Sequence, residues 1–283
     1  KVRIETEGSY GHTPNGDGVD PSSCKNVLIE DCDFNTGDDC IAIKAGRDKD
    51  GLRVNKPSEN IVIRNCSGLN GHGGIVVGSE TSGSSRNVVA VNCQFKGRDR
   101  VVRLKTARGR GGVIENMWFK DLVGEKILKE ALHLNMLYTG TRLPAQSISQ
   151  TTPTIRNIHF ENIKILSGDG YAIEILGLPE RFVENVWIEN VSAKASKGIN
   201  ISDARGVYLK NSQISATIAP VLSIIDGNDI VADSVKFSGE ENKLIEVRGA
   251  NSKNIKFRKS NVTSESVKYG PDVLNQAVLF ESQ

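Results

Sequence analysis

Several features that define other protein classes are missing from this sequence. Apolar residues at helical spacing form no long run, which argues against a fold built from amphipathic helices. No CxxC pair or Cys/His cluster has metal-site spacing, and no signal peptide, transmembrane stretch or lipidation motif is visible. The net charge is only +2, so the whole chain shows no excess that would indicate a nucleic acid or a membrane as its partner.

A regular repeat takes the place of these features. Asn26, Asn60 and Asn87 each open a strand-like run, and three successive segments superpose from them without a gap. Matching residues lie at equal offsets from these asparagines: Cys32, Cys66 and Cys93 at six residues, Asp38, His72 and Asp99 at twelve, and Lys44, Gly78 and Lys105 at eighteen. Such a constant register is typical of stacked coils.

The repeat continues toward the carboxyl end. Runs in which apolar and polar residues alternate begin at Asn116, Asn157, Asn185, Gly206, Asp229 and Asn254. Starts that lie 21 to 41 residues apart indicate a solenoid whose coil is constant and whose loops vary. The 28 glycines lie largely between the runs, where the coils turn. We predict an all-β fold, a right-handed parallel β-helix.

We expect residues 1–283 to form a single parallel β-helix domain, with its catalytic coils over about residues 12–140. A solenoid needs capped ends, and the strand-like run KVRIET opens at Lys1 without one, so we expect further coils upstream.

The five cysteines are predicted to be free core thiols. Their number is odd, and three share one repeat position that later coils fill with apolar residues such as Leu122 and Ile163. Disulfides between neighbouring coils stay open as the alternative.

Strand alternation predicts one outward strip of polar side chains. Asp38 and His72 have the outward parity, and their equal offset puts them on neighbouring coils, roughly 4.8 Å apart. In the run VVRLKT the leucine points inward, which leaves Arg103 and Lys105 outward together. Lys44 shares this strip and could contact a ligand or only water.

Three aspartates are predicted to converge on this strip. The segment NGDGVDP aligns on TGDDCIA and stacks Asp17 on Asp39. A buried unpaired carboxylate is costly, and Gly37 permits a bend that would turn Asp39 outward beside Asp38. Like charges this close raise at least one pKa, so one acid would stay protonated while its neighbour acts as a base.

A pair of carboxyl groups of which one acts as an acid and the other as a base is typical of glycoside hydrolysis. Groups on neighbouring coils leave room for a water between them, which favours inversion of the anomeric carbon. Because Arg103 and Lys105 can recognise carboxylates, a polymer of uronic acid is the natural substrate class. We expect the other histidines, His12, His133 and His159, to be structural.

Four segments together resemble a known family. NGDGVDP, TGDDCIAIK, NGHGGIVVGSE and RLKTARGRGG, in this order and spacing, resemble the signature segments of glycoside hydrolase family 28, the polygalacturonases and related pectin hydrolases. The resemblance covers about residues 12–190 and departs from the family pattern at Gly16, where a threonine is usual. It implies a general acid at Asp38, an attacking water held by Asp17 and Asp39, and substrate binding by His72, Arg103, Lys105 and Tyr138.

The resemblance also implies a reaction, the hydrolysis of α-1,4 links between galacturonic acid units of pectin, a plant cell-wall polysaccharide, with no metal and no cofactor. Because pectin lies outside the cell, we expect a secreted or periplasmic protein. We expect it to be a monomer that binds this polysaccharide and neither nucleic acid nor membrane.

Several alternatives stay open. Rhamnogalacturonan or xylogalacturonan could be the substrate within the same family. A pectate lyase shares the β-helix but works by β-elimination, commonly with calcium, which carboxylates can bind. A glycan-binding β-helix without catalysis is the non-enzymatic alternative.

Overall fold

The computed structural model of the protein describes residues 2–6, 13–138, 140–240 and 244–281. Strands account for most of this part of the chain. In chain order they are β1 (Val2–Glu5), β2 (Lys25–Glu30), β3 (Cys32–Asn35), β4 (Ile41–Ile43), β5 (Ser58–Arg64), β6 (Ser67–Leu69), β7 (Gly73–Val77), β8 (Ser85–Lys96), β9 (Arg100–Lys105), β10 (Val113–Glu125), β11 (Leu132–Asn135) and β12 (Thr154–Glu161).

The later strands are β13 (Lys164–Ile165), β14 (Tyr171–Leu176), β15 (Val183–Glu189), β16 (Ser192–Ser202), β17 (Ala204–Lys210), β18 (Gln213–Ile225), β19 (Asn228–Asp233), β20 (Lys236–Ser238), β21 (Ile245–Arg248), β22 (Lys253–Arg258), β23 (Val267–Tyr269) and β24 (Val278–Glu281). One α-helix, α1 (Asp48–Val54), and two short 3₁₀ turns (Ser264–Ser266 and Asn275–Ala277) complete the described elements. None of the helices in these residue ranges is long and apolar enough to cross a membrane.

The strands stack in three columns, and successive strands of each column pair in parallel. One column, called the site sheet below, contains β4, β7, β9, β11 and β14 and continues through β16, β18, β21 and β23. The register is constant, since Ile41 pairs with Ile75, Ile75 with Val102 and Val102 with Leu132. The prediction of a parallel β-helix is confirmed.

Two aromatic rings in the interior of the β-helix lie directly beneath two of the signature segments. Phe34 and Phe95 are almost completely buried. A Cβ atom added to Gly18 would lie 2.6 Å from Cδ1 of Phe34, and one added to Gly74 would lie 2.5 Å from Cδ1 of Phe95. Real Cβ atoms do not approach other atoms so closely, so only glycine lets these segments lie directly on the rings.

All five cysteines are free, as predicted, and four of them are buried. Cys32, Cys66 and Cys93 line the interior, and Leu122 pairs with Cys93 one coil later. These thiols act as small apolar side chains of the core.

The asparagines that open the runs form a ladder of side-chain hydrogen bonds between neighbouring coils, and a second ladder accompanies it. In the first, the amide of Asn60 donates to Oδ1 of Asn26 and that of Asn87 to Oδ1 of Asn60, both at 3.1 Å. In the second, five residues later, Asn92 donates to Asn65 at 2.8 Å and Asn65 to Asp31 at 3.2 Å. All of these residues have positive φ, which asparagine and aspartate tolerate better than other side chains. The second ladder was not predicted.

The two faces of β10 provide a test of the fold. Phe119 is fully buried and stacks on Phe160 with ring centroids 5.2 Å apart, whereas its neighbour Trp118 is 41% exposed. We expect Phe119→Ala to lower the free energy of unfolding by about 3–5 kcal/mol, because it leaves a cavity in the core. Trp118→Ala, the matched control, should cost about 1 kcal/mol, since it loses mainly its stacking on His159.

Urea unfolding of both variants, followed by circular dichroism, measures the two effects. An equal loss in both would mean that the assignment of inward and outward faces is wrong.

Candidate active site

The segment before the first full coil lies along the segment that leads into β4. The amide of Gly18 donates to the carbonyl of Asp39 at 2.9 Å, and that of Asp38 donates to the carbonyl of Gly16 at 3.3 Å. Val19 forms an isolated parallel bridge with Ile41, which is the alignment that the sequence predicted. The backbone therefore places Asp17 next to the other two aspartates.

Each of the three aspartates has a cationic or imidazole partner. The pairs are Asp17 with Lys44 at 3.1 Å, Asp38 with Nδ1 of His72 at 2.8 Å, and Asp39 with Lys105 at 2.9 Å. Three ionised carboxylates can lie this close together only if their repulsion is offset, and these partners offset it. Lys44, which also binds Asp20 at 2.6 Å, is thus neither a plain surface residue nor a free ligand for substrate.

Asp39 lies deeper than the sequence predicted. It is only 2% exposed rather than turned outward on the surface, and its Oδ2 accepts a hydrogen bond from Lys105, which is itself largely buried. Its Oδ1 has no hydrogen-bond partner among the described residues. Gly73 makes this position possible, because a Cβ atom there would lie 2.8 Å from that oxygen.

The contact between Asp38 and His72 shifts the pKa of both groups. The hydrogen bond from the ring to the carboxylate raises the pKa of His72, although partial burial of the ring opposes this. Burial acts to raise the pKa of Asp38, but the hydrogen bond and charge of His72, together with the charge of Lys105, outweigh it and leave that pKa lowered. The prediction was that repulsion raises at least one of the three carboxyl pKa values; the pKa of Asp38 moves the other way, because His72 and Lys105 lie beside it.

Within the described residue ranges, two groups of side chains are close enough to share a metal ion: Asp38, Asp39 and His72, and on later coils Glu130, His133 and Glu174. In the first group the carboxylates already bind His72 and Lys105. In the second, Arg100 donates to Glu130 and to Nδ1 of His133. Since cations of the protein already occupy both groups, we assign no metal to either.

Arg103 lies on β9 of the site sheet, and Tyr138 lies near it in the turn that follows β11. Arg103 pairs in register with Val76 on one side and with His133 on the other. Its guanidinium carbon lies 5.8 Å from the centroid of the Tyr138 ring. Among the described residues Arg103 forms no hydrogen bond or ion pair, so its charge is available to a ligand.

Residues 98–110 form a basic run with six cations, and its arginines other than Arg103 are engaged elsewhere. Arg98 is completely buried, and Arg100 pairs with Glu130 at 2.5 Å. Arg108 binds Glu180 at 2.6 Å, and Arg110 pairs with Asp48 of α1. Apart from Arg103 and Lys105, the run therefore serves mainly to join coils and loops.

Two of the remaining histidines contact other side chains, and their structural role stays a prediction. His133 is buried, accepts the Nε hydrogen of Arg100 at 3.0 Å, and lies 3.1 Å from Glu174. His159 stacks on Trp187 with centroids 4.3 Å apart. His12 lies outside the described residues.

The profile of the family described as glycosyl hydrolases family 28 matches residues 1–203. The chain belongs to this family. The match includes all four signature segments and every predicted site residue.

Named relatives share only part of their length with this chain. A probable polygalacturonase of Vitis vinifera is 30% identical over 190 residues, which are 65% of this chain and 38% of that protein. An exo-poly-alpha-D-galacturonosidase of Dickeya chrysanthemi is 29% identical over 215 residues, which are 71% of this chain and 34% of that protein. The crystal structure of an exopolygalacturonase from Thermotoga maritima is 40% identical, with a TM-score of 0.58, and the match covers 66% of this chain and 40% of that one.

Two features of the site were missed by sequence reasoning. The pairing of Lys105 with Asp39 joins residues two coils apart, and the repeat offsets do not predict it. The burial of Arg98 was hidden within a run that looked uniformly basic. The repeat offers one usable signal for Lys44, because the segment before the first coil stacks on it.

The coupling between His72 and Asp38 can be measured directly. We expect Asp38→Asn to lower the pKa of His72 toward the ordinary value of about 6.5, since the amide no longer stabilises the protonated ring. Proton NMR of the imidazole across the pH range gives this value. Asp50→Asn, which removes an exposed carboxylate of α1, is the control and should leave the His72 pKa unchanged. If Asp38→Asn also leaves it unchanged, the hydrogen bond of the pair does not exist in solution.

Proposed function

We propose that the protein hydrolyses α-1,4 links between galacturonic acid units of pectin, with inversion at the anomeric carbon. The observation that carries this proposal is the convergence of Asp17, Asp38 and Asp39, each with its own partner, beside Arg103, whose guanidinium has no carboxylate partner among the described residues. The arrangement supplies a proton donor, a water-binding pair and a cation for the substrate carboxylate.

In this proposal Asp38 protonates the oxygen of the leaving sugar. His72 holds a proton against Oδ1 of Asp38 and keeps it to higher pH than an isolated histidine would. When substrate covers the pair and removes water, the neutral arrangement, with the proton on the carboxyl, is favoured over the ion pair. The lowered pKa of Asp38 in the free protein is therefore compatible with its role as an acid, because His72 supplies the proton.

Asp17 and Asp39 bind and deprotonate the attacking water. Lys44 lies beside Asp17 and Lys105 beside Asp39, so each of the two carboxylates that would accept the proton of the water has a cation of the protein next to it. The Oδ1 of Asp39 has no partner in the described residues, so it is the acceptor that remains for a water hydrogen. The water then attacks from the side opposite to the leaving oxygen, as inversion requires.

Arg103 and Tyr138 are proposed to bind the sugar whose link is cleaved. The guanidinium has no competing carboxylate and can form paired hydrogen bonds to that of a uronate. The ring of Tyr138 limits where the guanidinium can lie. Lys105 and His72 face the same space, but each is already bound to an aspartate, so they contribute mainly charge.

The mode of attack is proposed from the relatives. The bacterial proteins named above are an exo-poly-alpha-D-galacturonosidase and an exopolygalacturonase, and the second is 40% identical to this chain. We therefore propose release of sugars from a chain end. Secretion or a periplasmic location, a monomeric state and a single domain remain predictions of the sequence.

Two other substrates and two other functions are weaker. Arg103 indicates a uronate at the cleavage site but says little of distant sugars, so rhamnogalacturonan and xylogalacturonan are secondary candidates. A pectate lyase works by β-elimination, commonly with calcium, whereas carboxylates of the described site bind His72 and Lys105 of the protein itself. A module that only binds glycans gains nothing from carboxylates that repel a polyanion.

The proposal is tested with Asp38→Asn. We expect kcat on polygalacturonate to fall by about a hundredfold to ten thousandfold, since the general acid is lost, while the affinity for a galacturonate oligomer stays within about twofold. Release of reducing ends measures the first and isothermal calorimetry the second.

Asp50→Asn, with an exposed carboxylate removed from α1, is the matched control and should keep wild-type kcat. Near-normal turnover by the Asp38 variant would rule out this residue as the acid.

A further inference from the structure

Arg98 is a fully buried arginine that forms no ion pair within the described part of the chain. It lies at the start of the turn into β9, and none of its side chain is exposed. Nothing in the proposed reaction uses it. A guanidinium at this depth is costly unless charges or hydrogen bonds compensate it, so its surroundings should show why it is there.

Its hydrogen bonds join three successive coils beneath the aspartates. Nη2 donates to the carbonyl of Asp38 at 2.5 Å and to the hydroxyl of Thr36 at 3.2 Å, and Nη1 donates to the carbonyl of Leu69 at 2.9 Å. The carbonyl of Asp38 also accepts the amide of His72 at 3.2 Å and the hydroxyl of Thr36 at 3.1 Å. The main chain of Asp38 is thereby held from three directions.

A glycine makes this approach possible. A Cβ atom at Gly71 would lie 2.6 Å from Nη2 of Arg98 and 2.4 Å from the carbonyl oxygen of Asp38. Gly71 also has φ of +79°, which side chains rarely adopt. The segment NGHGG therefore leaves room for the guanidinium beneath the site.

The charges that face Arg98 come from every segment packed against it. The carboxylates of Asp38, Asp39 and Asp99 and the thiol of Cys40 act on its guanidinium; His72 and Lys105 act on Asp38, and Lys129 binds Asp99. Burial lowers the pKa of Arg98, and the negative charges of these carboxylates, two of which belong to proposed catalytic residues, oppose that shift.

We propose that Arg98 is a positioning residue of the active site, one whose buried guanidinium fixes the main chain of Asp38 and supplies a positive charge beneath the aspartates. This inference rests on the proposed function for its kinetic consequences, but the effect on His72 does not depend on any activity. Arg98 never touches substrate, since the coils above cover it completely.

Two variants separate position from charge. Arg98→Met removes the charge and the hydrogen bonds but keeps much of the volume, and Arg98→Lys keeps the charge. Arg64→Met, which removes an exposed arginine bound to Glu30, is the matched control. Circular dichroism and thermal unfolding establish that each variant is folded before it is compared.

The first measurement is the titration of His72 by proton NMR. Loss of a nearby positive charge makes protonation easier, so Arg98→Met should raise the pKa of His72 by roughly half a unit or more. Arg98→Lys and Arg64→Met should leave it close to the wild-type value. A role in folding alone would move the melting temperature without moving this pKa.

The second measurement is the pH profile of kcat and kcat/KM on polygalacturonate. Arg98→Met should lower kcat by about tenfold to a hundredfold with little change in KM, because the acid is misplaced. Both limbs of its profile should move to higher pH, since carboxylates without the buried cation hold their protons longer. Arg98→Lys should restore the position of the profile.

Each outcome decides something. The inference is overturned if a folded Arg98→Met variant has the wild-type pKa of His72 and wild-type kinetics. It is also overturned if the Arg98→Lys variant shifts the pKa of His72 as far as the Arg98→Met variant does. If Arg98→Met does not fold, Arg98→Lys decides: reduced kcat at unchanged KM supports the inference, and wild-type kcat overturns it. Wild-type protein without turnover would instead contradict the proposed function, and the NMR result would still decide the role of Arg98.

Discussion

The pairing of each site aspartate with a partner from another part of the stack is the interaction on which the rest of the structure depends. Asp39 and Lys105 are 66 residues apart in sequence and 2.9 Å apart in space. Asp17 binds a lysine of the next coil, and Asp38 binds a histidine of the next. Carboxylates that converge in a partly buried group repel one another, and each of these contacts places a cation or an imidazole beside one of them.

Such pairs require that the coils keep their register. The two polar ladders fix it at the turns, where each asparagine amide donates to the residue one coil before. The interior fixes it again, since Phe34 and Phe95 lie directly under glycines of the signature segments. Arg98 adds a third tie, which joins the main chains of three coils at the site itself. Packing, backbone geometry and buried charge thus all restrict the position of Asp38.

Much of this arrangement could be predicted from the sequence, because a repeat converts sequence offsets into spatial neighbours. The equal offset of Asp38 and His72 from their asparagines predicted a contact that is 2.8 Å long, and the alignment of Asp17 on Asp39 matches the bridge between Val19 and Ile41. The parity of β9 likewise placed Arg103 and Lys105 together.

Two kinds of feature could not be predicted from the sequence: the direction in which a long side chain extends, and how deeply a side chain is buried. Alternation assigns a face but not the direction of a long flexible side chain, so the turn of Lys105 toward Asp39 was missed. The same rule treats Arg98 as one of six similar cations, although its burial sets it apart. The lowered pKa of Asp38 was missed for the same reason, since the prediction counted repulsion between carboxylates and left out the neighbouring His72 and Lys105.

The most direct test of the central claim is proton NMR of polygalacturonate during its digestion by the purified protein, with and without a chelator. Three aspartates arranged for inverting hydrolysis predict that signals of β-configured reducing ends appear first, that no vinyl signal forms, and that the chelator has no effect. A vinyl signal from an unsaturated uronate, abolished by the chelator, would mean that the chain is a lyase and that the roles assigned to the aspartates are wrong.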